Sequence, residues 1–163
     1  MNRPIVVFKK LITPFRLDDL LPNLLLLIPR CLMGGALSFV YAPLKFGTPW
    51  TPKSRNLELF EMTDEVVEIV RLGGPPFNLM PEVFAWSICF MEAYGGILLI
   101  LGLNTRITSF FVFITMGLAI IFRKWDGTWD VIPIFLFFCL GLFYMGFGSG
   151  KFGLDYYISQ RWR

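Results

Sequence analysis

Hydrophobic residues run through this chain in four long stretches, broken by short polar or proline-rich segments. The first reads LLPNLLLLIPRCLMGGALSFVYAPL, residues 20–44. The second spans 81–103, the third 107–122 and the fourth 132–147. Stretches of this length are read as membrane-crossing helices, which need about 17–25 residues. In lipid every backbone polar group must be paired within the segment, so each stretch is expected to be helical. The three-residue turn Asn104-Thr105-Arg106 makes the second and third helices antiparallel neighbours.

Residues 45–80 form the one long connection. Within it, 56–71 reads as an amphipathic helix: Leu59, Met62, Val66, Ile69 and Val70 share one face, and Glu58, Glu61, Glu65 and Glu68 share another. Gly73-Gly74-Pro75-Pro76 ends it. The predicted fold class is therefore all-α: an integral membrane bundle of four transmembrane helices, with an amphipathic helix in the loop between spans 1 and 2. Residues 1–19 read as a cytoplasmic N-terminal segment and 20–163 as the membrane domain.

Composition agrees with this reading. Of 163 residues, 55% are apolar and only 17% charged, against about 25% charged in a typical soluble domain. The net charge of +3 is small and scattered, which argues against nucleic acid as a partner. The N-terminus, the short turn and the C-terminus hold Arg3, Lys9, Lys10, Arg16, Arg106, Lys151, Arg161 and Arg163. The opposite side holds Lys45, Lys53, Arg55, Arg71, Arg123 and Lys124. The excess predicts cytoplasmic termini. Tyr41, Trp50, Trp125 and Trp129 mark interfaces, and Asp130 would cap the fourth helix.

Two charges inside the apolar stretches carry the candidate chemistry. Arg30 lies in the first and Glu92 in the second. Counted from the helix ends, both sit roughly 15–18 Å deep. A charge in hydrocarbon costs about 2.5–3.5 kcal/mol on insertion scales and so faces a partner or a cavity. A direct Arg30–Glu92 pair is expected, either fixing helix register or lining a pocket for a quinone, a proton or a small substrate. Lys45, at the end of the first stretch, is expected to snorkel to headgroups. Gly34 and Gly35 would let a second helix approach closely.

The chain has no histidine, so His-ligated haem and histidine acid–base chemistry are not expected. Neither HxxxH nor CxxC occurs, and no metal site is expected. Cys31, Cys89 and Cys139 all fall within apolar stretches and read as small packing residues. With prolines and charges so early in the chain, no typical cleavable leader is expected.

Several features then line up with one family. The first stretch supplies Arg30, Gly34 and Lys45. The second supplies Glu92, Gly95, Gly96, Gly102, Thr105 and Arg106, and the C-terminus reads GSGKFGLD, with Gly148, Gly150, Leu154 and Asp155. Together these resemble the DoxX family of small four-span membrane proteins over about residues 24–158. Its tail pattern has serine where this chain has Gly153, a late first-helix glycine matches Tyr41, and Lys45 is displaced by one. The resemblance implies a subunit of a quinone-linked or thiol-redox oxidoreductase complex in a bacterial inner membrane, with other protein subunits as partners. It also admits a non-enzymatic assembly factor or scaffold, and a small-solute carrier.

Overall fold

A computed structural model describes residues 19–123 and 131–161. The expected N-terminal segment 1–18, Lys124, Trp125, Asp126, Trp129, Asp130 and Arg163 lie outside the described residues.

The first rod begins as α1, Leu20–Gly35, and passes through a π-helical segment, Ala36–Tyr41. It closes with one further turn, α2, Ala42–Lys45. The rod is continuous for 26 residues. A π turn departs from the i→i−4 ladder, and here the Ser38 carbonyl accepts the Trp50 indole N–H at 2.8 Å. The remaining helices are α3, Asp64–Leu72; α4, Pro81–Leu101; α5, Thr105–Arg123; α6, Ile132–Phe147; and α7, Leu154–Arg161. The described residues contain no strand, only an isolated bridge between Phe46 and Met62.

Among the described residues, three helices are long and apolar enough to cross a membrane: Leu20–Lys45, Pro81–Leu101 and Thr105–Phe122. The fourth apolar helix, α6, has 16 residues. Both sides of the bundle are apolar. Inside, Leu26, Met33, Leu37, Leu99, Val112, Met116, Phe137 and Tyr144 form one buried cluster. Outside, Leu32, Phe39, Ile121 and Leu136 are exposed. A helix apolar all round is the pattern of a membrane span.

The loop helix is shorter than its periodicity predicts. It starts at Asp64 rather than 56, because the preceding backbone is engaged elsewhere. Gly47 N–H donates to the Glu61 carbonyl, Phe60 N–H to Gly47 and Thr63 N–H to Lys45, at 2.7, 2.7 and 3.0 Å. Asn56 and Phe60 take positive φ, which a helix forbids. Leu59 is exposed, while Val66, Ile69 and Val70 of α3 turn inward.

Rod register is set where α1 meets α4. A Cβ on Gly96 would lie 2.6 Å from the Gly34 carbonyl oxygen and 2.8 Å from Ser38 Cβ. One turn on, Ser38 Oγ donates to the Ala93 carbonyl at 2.7 Å. Gly35, by contrast, faces open space. Gly96→Val is expected to destabilise the protein by about 1–3 kcal/mol through overpacking, read as a lower thermal midpoint in detergent. Gly35→Val should leave that midpoint unchanged.

Candidate functional site

Arg30 and Glu92 do not pair. The Gly34–Gly96 and Ser38–Ala93 contacts put Arg30 level with Ile100, eight residues from Glu92. That is an axial offset of about 12 Å. Each Cα–Cβ bond in a helix also tilts toward that helix's N-terminus. On antiparallel rods, Arg30 therefore leans away from Glu92. Lys45, nearer the other end of its rod, leans toward it.

Arg30 instead closes a knot at the end of the bundle where α4 turns into α5. Its side chain is fully buried. Nη1 donates to the Ser149 carbonyl, and Nη2 to Phe152 at 3.3 Å. Both carbonyls belong to the GSGKFGLD tail. Asp155 in the same tail accepts the backbone N–H groups of Asn104 and Thr105 at 2.7 and 2.9 Å. These donors are left over at the start of α5, where a carboxylate meets both the unpaired N–H groups and the helix dipole. Burial pushes the Asp155 carboxyl up from its ordinary value, and the N–H groups of Thr105 and Asn104 pull it back down.

Glycine makes the knot sterically feasible. Gly102 ends α4 in the left-handed conformation, φ 66°. Leu103 N–H returns to Leu98 and Gly102 N–H to Leu99, which is a Schellman closure. A Cβ on Gly102 would lie 2.6 Å from Gly153 Cα and 2.8 Å from Arg30 Nη1. The Gly153 departure is explained at the same place: a Cβ there would overlap the Ser149 side chain. Gly102→Ala combines strain with a clash. The tail is expected to detach, read as faster proteolysis after Gly148.

Glu92 belongs to a second centre, toward the long loop. Its carboxylate meets the Lys45 ammonium at 2.6 Å. Lys45 does not simply snorkel outward. The pair is asymmetric: the lysine side chain is 29% exposed and the glutamate 4%. Cys89, one turn before Glu92, is buried with Ala42, Phe46 and Ala93 behind the pair. The three cysteines are separate thiols.

The pair lies on the wall of a cavity of about 390 Å³ between the first rod, α3, α4, α5 and α6. Its walls are mainly apolar, from Leu37, Val70, Ile88, Met116 and Phe137. Tyr41 and Thr115 add hydroxyls, and Arg55 and Glu65 add charges on its loop side. Ligand pockets run to about 300–1,000 Å³ and are mostly apolar with a few polar groups. Among the described residues no cluster of three metal-ligating side chains occurs.

The pattern thus separates into two groups. Arg30, Gly102, Thr105 and Asp155 gather at the knot, with Gly148 and Gly150 shaping the tail there. Lys45 and Glu92 meet at the cavity. Gly34 and Gly96 fix register between the two, and Gly95 packs against Thr108. The sequence did not single out Ser149, and it read Arg55 as a loop charge and Glu65 as part of an acidic helix face, neither as a cavity residue. Ser149 acts through its backbone, which no side-chain pattern reveals.

No curated protein and no solved structure matches the chain. The DoxX family model matches residues 25–125, more than half of it. That range includes Arg30, Lys45, Glu92, Gly102 and Thr105, and ends before the tail. The chain belongs to the DoxX family and is an integral membrane protein.

Proposed function

We propose that this protein is a membrane subunit of a quinone-linked oxidoreductase complex, and that its cavity receives the lipophilic ligand. The observation that carries the reading is the cavity of about 390 Å³ with an ion pair at its polar edge. A buried ion pair is weak evidence for stability. Its position on a cavity wall favours a ligand-facing role for this pair over a purely structural one. Arg30 drops out of the ligand site and takes the structural role. With three separate thiols, thiol-redox chemistry would depend on a partner. The redox cofactor would likewise sit on a partner chain, since this one has no histidine. The reading includes a fourth crossing by α6 and both termini in the cytoplasm of a bacterial inner membrane.

The test is extraction of quinone from protein purified in mild detergent. Ala119 lines the cavity from α5, a different helix from either member of the ion pair, so Ala119→Trp should fill the cavity without removing either charge. Quinone is expected with the unsubstituted protein and not with Ala119→Trp. Equal quinone in both, or none in either, would overturn the reading.

A further inference from the structure

We infer that the Lys45–Glu92 pair is a head-group filter: the cavity takes a neutral apolar molecule bearing an acceptor oxygen, which Lys45 contacts, and turns anionic amphiphiles away. This rests on the cavity being a ligand site, as proposed above.

The asymmetry of the pair carries the inference. Both members line the cavity, and Lys45 is the more accessible of the two. The member of the pair more open to a ligand is therefore an ammonium, which only donates hydrogen bonds. A ligand with only donors to offer finds no complement at that group. A carbonyl or ether oxygen does, and its apolar body finds Leu37, Ile88, Met116 and Phe137.

An anion faces a different balance. The lysine's charge is already neutralised by Glu92 at 2.6 Å. To gain a full ion pair the anion must displace that carboxylate. Glu92 would then be left buried, at 4% side-chain exposure, without its counter-charge. Buried charge without a partner is strongly unfavourable. The other charges lining the cavity do not tip the balance, because Arg55 and Glu65 contribute one of each sign and both are exposed. Specificity of this kind works by penalising the wrong ligand. Glu92 acts through Lys45 and is a positioning residue.

The test compares a long-chain methyl ketone with the fatty acid of equal chain length, at alkaline pH where the acid is ionised. Binding is measured to the protein in zwitterionic-lipid nanodiscs, with empty nanodiscs subtracted. The unsubstituted protein should prefer the ketone by about tenfold or more. In Glu92→Gln the ammonium loses its counter-charge, and fatty-acid binding should rise by about tenfold or more relative to ketone. The double variant Lys45→Met/Glu92→Leu should bind the ketone more weakly, for want of the ammonium, and gain no fatty-acid binding, since an ionised carboxylate then has no counter-charge; it decides the matter should Glu92→Gln fail to fold. A preference for the fatty acid in the unsubstituted protein would overturn the inference. So would an unchanged ratio in Glu92→Gln, or undiminished ketone binding in the double variant. Those results leave the cavity reading standing. Absence of binding by both probes in every form removes the cavity reading and the filter together.

Discussion

Arg30→Ala is expected to be the most damaging single substitution in the described bundle. The guanidinium is fully buried and ties α1 to the tail through the Ser149 and Phe152 carbonyls. Removing it strips two carbonyls of charged donors and takes the Arg30 charge away from Asp155. Leaving buried carbonyls without their donor costs about 1–3 kcal/mol each, together a large share of the roughly 5–15 kcal/mol that holds a typical domain. Thermal unfolding in detergent should drop markedly, with protease cleavage near Ser149 rising before global unfolding. Arg30→Lys should recover little, because an ammonium lacks the planar fork that serves two carbonyls at once. A midpoint within experimental error of the unsubstituted protein for Arg30→Ala would show that the tail is held by Asp155 alone.

The second large effect concerns the other centre and is expected to be unequal for its two members. Lys45→Ala leaves the Glu92 carboxylate buried and uncompensated, and should cost about 3–5 kcal/mol. Glu92→Gln leaves Lys45 charged, but its side chain is 29% exposed and sits at the end of its rod. A long lysine stem can carry the charge toward headgroups. The loss should therefore be distinctly smaller. Replacing both, as Lys45→Met/Glu92→Leu, should restore stability to near or above that of either single variant, because well-packed apolar groups often replace a buried pair at no net cost. Chemical denaturation of the three variants in one detergent checks the order. Equal losses for Lys45→Ala and Glu92→Gln would mean that the exposure difference has no energetic weight.

Much of this architecture was legible in the linear pattern. Apolar runs of 16 residues or more gave the rods, with α6 matching at both ends. A short connection joins α4 and α5 as expected, but it falls at Gly102–Asn104 rather than Asn104–Arg106, because Gly102 closes α4 in the left-handed conformation open to glycine. The loop helix was legible only in its second half. Periodicity reports which face a segment would present if helical, and it is silent on whether a distant strand of backbone will claim the same N–H groups. Gly47 and Lys45 claimed the N–H groups of Phe60 and Thr63.

The amino-acid order by itself determined that this chain lies in lipid, where its helices break and which charges must be hidden. It could not determine which hidden charges meet. Depth counted from helix ends placed Arg30 and Glu92 together. The actual register follows from two close contacts, Gly34 on Gly96 and Ser38 on Ala93, which slide the rods until those levels separate. Side-chain tilt on antiparallel helices then sends Arg30 to the tail and brings Lys45 to Glu92. Relative sliding of two rods is a property of their packed surfaces, so only the tertiary structure could assign the partners.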